Sequence, residues 1–297
     1  MRILVTGGTG FIGRALVRSL TERGDQIVIV SRRAGPHTIS WDEVETHAKQ
    51  VDAIVHLAGE SLTDGRWTPE RLARKGASRM DTTALVARAV AAASHRPRVL
   101  VSASAVGIYG QYGADAPSVD ESALPGDDVL ARLCVDWEAA ADPARQAGVR
   151  VVHPRFGIVL GAGGGMLAKL APVFRWFAGG PIGRGAQWVS WVHVRDAVCA
   201  LLFALDRDDL AGAVNVVAPV AVTMNEFARA LGRALKRPSL LRVPALALRV
   251  ALGEGLAQVL LTGQHALPRR LEEARFTFAF PTIDAALEQL ATELLRS

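Results

Sequence analysis

The run Gly7-Gly8-Thr9-Gly10-Phe11-Ile12-Gly13 constrains this chain more than any other stretch. It follows a short apolar run at residues 3–5. It opens a segment whose apolar residues, Phe11, Ile12, Ala15, Leu16, Val17 and Leu20, recur at helical spacing. Gly24 ends that segment, and a second β-branched run follows at residues 27–30. Strand, glycine turn, helix and strand in this order predict a βαβ unit, since two parallel strands need a crossover helix between them. In G-x-x-G-x-x-G, Gly7 permits the tight turn, Gly10 lets backbone approach a pyrophosphate, and Gly13 lets the helix pack closely on the sheet. The helix N-terminus adds free N–H groups and a positive dipole end. The motif therefore predicts a dinucleotide site built on Gly7, Thr9, Gly10, Phe11, Ile12 and Gly13.

The end of the second strand selects the cofactor. A carboxylate there would bind the adenosine ribose 2′-hydroxyl and favour NAD. Here Val30 is followed by Ser31, Arg32 and Arg33. Guanidinium groups suit a 2′-phosphate, so NADP(H) is expected, with Ser31 and Arg32 in contact with it. Solvent-facing loop arginines are the plainer alternative.

Strands and helices keep alternating. Residues 53–57, 99–101 and 149–152 read as strands, and 70–92 and 128–146 as helices. This pattern predicts an α/β fold, a doubly wound parallel-sheet Rossmann domain. After residue 160 the composition shifts. Residues 161–165 are a glycine run that reads as a hinge, with phosphate binding as the alternative, and a second Gly/Pro cluster spans 179–185. Residues 166–177 read as a helix, 187–194 as a strand, 196–205 as a helix and 214–217 as a last strand. From residue 223 the pattern is helical, punctuated by Pro238, Pro244, Pro268 and Pro281. The expected division is a Rossmann domain over 1–218, with 161–186 inserted towards the substrate lobe, and a smaller, mostly helical C-terminal lobe over 219–297.

Composition removes other classes. Of 297 residues 50% are apolar and 21% charged, which excludes a disordered chain. Two cysteines, Cys134 and Cys199, are too few for a disulfide scaffold. The net charge of +5 is mild, and no basic run interleaves with aromatics, so nucleic acid is not an expected partner. No stretch nears the roughly 18 apolar residues of a membrane span, and the N-terminus lacks a signal-peptide h-region. The expectation is a cytoplasmic protein with a small-molecule substrate and no membrane contact. Seven scattered histidines show no metal-ligand spacing, so no metal site is expected.

Several stretches together resemble a known family. These are T-G-G-T-G-F-I-G at 6–13, H-L-A-G-E at 56–60, V-S-A-S-A-V-G-I-Y-G at 101–110, P-R-F-G-I-V-L-G at 154–161 and W-V-H-V-R-D-A at 191–197. They resemble the extended short-chain dehydrogenase/reductases, which include nucleotide-sugar epimerases and dehydratases. More narrowly, the chain is similar to an atypical "epimerase family protein" group. The shared features there are S-R-x-x-G-P and W-D-E at 31–43, S-R-x-x-T-T at 78–83, W-E-A-A at 137–140 and G-G-P-I-G at 179–183. L-L-T-G-Q and L-P-R-R-L resemble the small C-terminal domain of that group. The resemblance implies further cofactor contacts from Leu57, Ala58, Gly59 and Glu60, and from Arg79, where extended members usually carry Asn.

The catalytic pattern departs from the family. Its standard enzymes pair Tyr with Lys as Y-x-x-x-K, the lysine lowering the tyrosine pKa so that the phenol exchanges a proton with substrate. Neither tyrosine here, Tyr109 or Tyr112, has a lysine four residues on. The resemblance places Leu130 at the Tyr position and Cys134 at the Lys position, and keeps Ser104 at the Ser position. General acid–base catalysis contributes roughly 10²–10⁴-fold, about 3–5 kcal/mol of barrier, so a replacement group is required for ordinary rates. Ser104, Tyr109 and Cys134 are the candidates, with Glu60 behind them. Each has a structural reading as well: Tyr109 as packing in a pocket wall, Cys134 as a small buried side chain unless Arg79 activates it. Arg155 is a candidate anion contact, His56 a pocket residue and His193 a packing residue. The expected function is an NADP(H)-dependent oxidoreductase or epimerase-like enzyme on a small substrate, with a nucleotide sugar as the class the resemblance implies. The alternative is an NADP(H)-binding redox sensor or regulatory protein without turnover.

Overall fold

The computed structural model describes residues 1–33, 35, 37–61 and 65–296. The S-R-x-x-G-P stretch thus lies in part outside the described residues, at 34 and 36. Along the chain run β1 (Arg2–Thr6), α1 (Phe11–Glu22), β2 (Gln26–Val30), β3 (Thr38–Ile39), α2 (Val44–Ala48), β4 (Ala53–His56) and α3 (Pro69–Ala92). Then come β5 (Val99–Ser102), β6 (Ser104–Ala105), β7 (Ser118–Val119), α4 (Val129–Ala139), α5 (Asp142–Gln146), β8 (Arg150–Phe156) and β9 (Ile158–Leu160). The central sheet has the order β12-β8-β5-β4-β1-β2-β3, where β12 is Gly212–Val216, and β6 also pairs with β8. Its pairings are parallel.

Both faces of this sheet are covered. In β1, β4 and β5 alternate side chains go to opposite faces, as strand geometry requires. Ile3, Val5, Ala53, Val55, Val99 and Val101 join one core with Leu16 and Leu20 of α1 and Leu201 of α7 (Val194–Asp206). Leu4, Ile54 and Leu100 join another with Val44 of α2 and Val86 and Val90 of α3. The register levels the C-terminal strand ends: Thr6 stands opposite Val30 on one side and His56 on the other, and His56 opposite Ser102. The strand order reverses beside β1, the switch point where open α/β sheets bind ligands.

The second lobe gathers α6 (Gly165–Arg175), β10 (Trp188–Val189), β11 (Trp191–His193), β13 (Val222–Thr223), α8 (Met224–Leu235), α9 (Ala245–Leu252), α10 (Glu254–Leu261) and α12 (Ile283–Arg296). Leu167, Phe174, Phe227, Leu231, Leu287 and Leu290 share its core. α8 is fixed at its start by a reciprocal capping box between Thr223 and Glu226. Between α10 and α12 the chain returns to the first lobe through β14 (His265–Ala266), which pairs with β7, and α11 (Arg269–Glu273), whose Leu271 is in the Rossmann core.

The structure differs from the sequence expectation at three places. The helix expected over 128–146 is two helices, α4 and α5, because Pro143 cannot donate an N–H and instead sits in the first turn of a new helix. The strand expected over 187–194 is split: β10 pairs with β13, and β11 with β9. β3 and α2, two and five residues long, were too short to show a period. Among the described residues no helix is long and apolar enough to cross a membrane.

Candidate active site

A cleft of about 1190 Å³ lies at the C-terminal ends of β1, β2 and β4. Of the residues expected from sequence, Gly7, Thr9, Gly10, Ser31, Arg32, Leu57, Ala58, Gly59 and Glu60 line it. The glycine turn takes its shape from two constraints. Gly7 has φ +69°, and a Cβ there would lie 2.7 Å from the Leu57 carbonyl carbon. A Cβ on Gly13 would collide with the Gly7 carbonyl. The turn and the residue 57–59 loop therefore close on each other only without side chains. α1 begins at Gly10 with no side-chain cap and no acid in its first turn, which leaves its leading amides to an anion.

Four expected cofactor residues, Phe11, Ile12, Gly13 and Arg79, are not in the lining. Phe11 turns its ring onto the 161–165 run instead: a Cβ on Gly161 would lie 2.7 Å from Phe11 Cζ, and one on Gly164 2.9 Å from Phe11 Cδ2. That run gives space to an aromatic ring, a role its glycine content alone did not reveal. Ile12 packs against the core, and Gly13 sits beneath the turn. Arg79 is buried beneath Gly59, where a Cβ would lie 3.2 Å from Arg79 Cγ. Its Nη1 donates to the Lys75 carbonyl, its Nε has no partner, and its guanidinium stacks 5.1 Å from the Trp137 ring centre. Burial lowers its pKa. Thr38, Trp41, Ser78 and Thr82 also line the cleft; for the last three only their place in the family-like W-D-E and S-R-x-x-T-T stretches hinted at it, and for Thr38 nothing did.

The charges of the cleft are unequal. Among the described residues no carboxylate stands at the end of β2; Arg32 and Arg33 are there, exposed, and Arg33 N donates to Ser31 Oγ at 3.0 Å. Glu60 is engaged by Arg74 at 2.7 Å, which holds its carboxyl below the usual range.

Behind the cleft runs a buried chain of hydrogen bonds. Ala58 N donates to Thr6 Oγ1 (3.2 Å), and Thr6 Oγ1 meets His56 Nδ1 (2.7 Å). His56 Nε2 meets Thr83 Oγ1 (2.9 Å), which also accepts from Trp137 Nε1 (3.1 Å). The chain ties the 57–59 loop to α3 and α4. Burial pushes His56 down to about 4, so its ring is neutral.

A second network forms where β6, β8 and β12 lie side by side. Their register sets Ser104 and Asn215 on either side of Arg155. Ser104 Oγ donates to Glu138 Oε1 at 2.6 Å. Arg155 grips the same carboxylate with Nε (2.8 Å) and Nη2 (2.9 Å), and its Nη1 donates to Tyr109 Oη at 3.0 Å. Tyr109 Oη donates in turn to Asn215 Oδ1 at 2.6 Å. Burial raises the Glu138 carboxyl, but Arg155 and Ser104 more than offset it, and the net shift is downward. Glu138 lay in the W-E-A-A stretch and was not singled out from sequence.

The three candidate acid–base groups now separate. Tyr109 is fully buried, holds two hydrogen bonds, and is raised by burial above the ordinary phenol range. Cys134 is pushed up to about 12, chiefly by burial and then by Glu138; the nearby Arg79 and Arg155 are outweighed. Ser104 is also buried, 2% exposed, and lies behind the residues that line the cleft; of the three it alone hydrogen-bonds a carboxylate. His193 caps α7 and contacts Gln289 and Phe280, a packing position. Trp188 stacks on His265, and Trp191 is fully buried. Among the described residues no cluster of three metal-ligating side chains occurs.

Comparison with known proteins identifies the family and the fold. Residues 3–217 match the model of the NAD dependent epimerase/dehydratase family, and residues 243–290 match a domain of unknown function, DUF1731. The chain is 39% identical to the epimerase family protein SDR39U1 of Bos taurus, covering 98% of this chain and 99% of that protein. It is 34% identical to the epimerase family protein YfhF of Bacillus subtilis (strain 168), covering 99% of both. The crystal structure of human epimerase family protein SDR39U1 (isoform 2) with NADPH superposes with a TM-score of 0.92 at 38% identity, over 98% of this chain and 99% of that one. UDP-glucuronic acid 4-epimerase from Bacillus cereus, at 15% identity and a TM-score of 0.82, shares the fold.

Proposed function

The chain belongs to the NAD dependent epimerase/dehydratase family, and from that premise we propose that it is an NADP(H)-dependent oxidoreductase or epimerase-like enzyme for a small hydroxyl- or carbonyl-bearing substrate. The observation that carries the reading is the cleft with Arg32 and Arg33, and no carboxylate, at the end of β2. The residues present fit the cofactor. Gly7 and Gly13 let the turn close against the 57–59 loop and the start of α1, which holds the leading amides at the cleft; α1 presents those amides uncapped, and the buried Arg79 Nε is unpartnered beside Gly59. Gly7, Thr9 and Gly10 would hold the pyrophosphate, Ser31, Arg32 and Arg33 the 2′-phosphate, and Leu57, Ala58, Gly59 and Arg79 the nicotinamide end. The bound cofactor supplies hydride transfer.

The proton is the task of Ser104 and Glu138. In oxidation of a substrate alcohol, Ser104 Oγ accepts the hydroxyl proton while its own proton passes to Glu138 Oε1, 2.6 Å away. In reduction the same path runs backwards. Arg155 keeps Glu138 ionised and aimed, which makes it a weak base, so slow turnover is expected. Tyr109 acts here as a strut between Arg155 and Asn215.

Cofactor-stripped protein titrated with NADPH and NADH tests the first half. NADPH should bind at least about tenfold more tightly, the worth of one charge-assisted hydrogen bond, and Arg32→Ala should erode the preference. A stopped-flow screen of small carbonyls and nucleotide sugars tests the second. Ser104→Ala should then lose about 10²–10⁴-fold in turnover with NADPH affinity kept. Equal affinity for NADH would overturn the cofactor assignment. The displaced Tyr and Lys favour one other reading, a cofactor-binding sensor, and tight NADPH binding without oxidation of any panel member would establish it.

A further inference from the structure

Six of the exposed large apolar side chains are carried by two adjacent segments of the second lobe, while others, Leu124 and Val129 among them, lie in the first. Trp176 and Phe177 follow α6, Leu240 and Leu241 follow α8, and Leu246 and Val250 share one side of α9 a turn apart. Trp176 is 83% exposed and Leu240 81%. The segments that carry them, 165–184 and 236–250, lie side by side. Leu241 N donates to the Gly179 carbonyl at 3.1 Å, and Gly183 N to the Val243 carbonyl at 2.9 Å. Arg237 lies 4.6 Å from the Phe177 ring centre.

The charge of these two segments is one-sided in sequence, while α12 of the same lobe brings Asp284, which pairs with Arg233 of α8. Leaving aside Lys169, which is already engaged, the first segment holds Arg175 and Arg184, the second Lys236, Arg237, Arg242 and Arg249, and neither contains an Asp or Glu. The nearest acid beyond them in sequence, Glu254, answers Arg249 at 3.2 Å. Such a bias is out of proportion in a chain with 34 basic and 29 acidic residues.

We propose that this face is a docking surface for an anionic lipid bilayer. Cations would meet lipid phosphates, while the protruding Trp176, Phe177, Leu240 and Leu246 enter the headgroup boundary, as on interfacial amphipathic surfaces. A second copy of the chain packed face to face would set like charges against each other. A protein partner would have to supply both acids and a pocket for each separate protrusion, whereas a bilayer moulds itself to them. The absence of a spanning segment, on which the expectation of no membrane contact rested, is a different property from an amphipathic surface.

The test is flotation of the full chain with vesicles of phosphatidylcholine alone and of phosphatidylcholine mixed with an equal part of phosphatidylglycerol. Binding is expected to the mixed vesicles at low salt and to fade as salt screens the charges. The variant Trp176→Ser/Leu240→Ser, altered only at exposed tips, should bind about tenfold more weakly or less, with NADPH affinity and melting temperature kept as fold controls. No flotation with either vesicle overturns the proposal, as does equal flotation of the variant. So does a self-association of the wild-type chain that the variant abolishes, which would assign the face to a second copy.

Discussion

Glu138 shows how much one half-buried side chain can organise. It accepts from Ser104 and, at two oxygens, from Arg155, with both members of the ion pair largely out of water. Removing one partner of such a pair leaves an uncompensated charge. Glu138→Gln should cost about 3–5 kcal/mol in urea unfolding, and Glu138→Leu/Arg155→Met should be milder than Arg155→Met alone. His56 makes a different prediction, in pH. Its folded pKa of about 4 lies below its ordinary 6.5. The unfolded chain therefore takes up the proton first as pH falls. The neutral ring's contribution is complete above pH 6.5 and is lost between there and about 4, on the order of 3 kcal/mol at 1.36 kcal/mol per pKa unit. Melting curves over that range should fall more steeply for the wild type than for His56→Gln; parallel curves would contradict a neutral buried ring.

At the scale of elements, the β1–α1 turn works by exclusion of side chains. Gly13 carries α1 against the Gly7 carbonyl, and Gly7 itself meets the residue 57–59 loop. Gly13→Ala must push the helix off the strand end, so it should weaken NADPH binding by more than about tenfold and lower the melting temperature, both read in one titration under heating. This part of the site was legible in the sequence because its chemistry is local: glycine spacing, a strand before, a helix after. Ser31 and Arg32 were legible for the same reason. The proton network was not. Ser104 and Glu138 are 34 residues apart, Arg155 and Glu138 17, and their meeting depends on β6, β8 and β12 falling into one register. Tyr109 was nominated on its chemistry, which says nothing of a ring closed in by Arg155 and Asn215. The break between α4 and α5 was signalled by Pro143, but the apolar period on either side masked it.

At the scale of the whole molecule the two lobes are interleaved rather than joined at one point. Residues from 160 to 189 contribute to the second core, while α11, late in the chain, contributes Leu271 to the first. The return is held at several places. β14 pairs with β7, Tyr112 bridges to Gly263, Asn215 Nδ2 donates to the Leu267 carbonyl, and Asp196 of α7 accepts from Ala279 N and Phe280 N. Asn215 also supports, through Tyr109, the Arg155 that grips Glu138, so the C-terminal return and the network around Ser104 share a residue. A boundary near residue 218 therefore marks a change of composition more than a change of folding unit. Unfolding in urea should be a single transition, with cofactor-cleft and second-lobe probes coincident. Leu271→Ala removes a fully buried side chain from a core made mostly of residues before 218. It should cost about 2–5 kcal/mol and shift both probes together. A first-lobe probe that stays put while the second-lobe probe moves would show that the return strand and α11 are only laid on the Rossmann lobe. Joint movement would mean that the appended segment completes the core behind the active site.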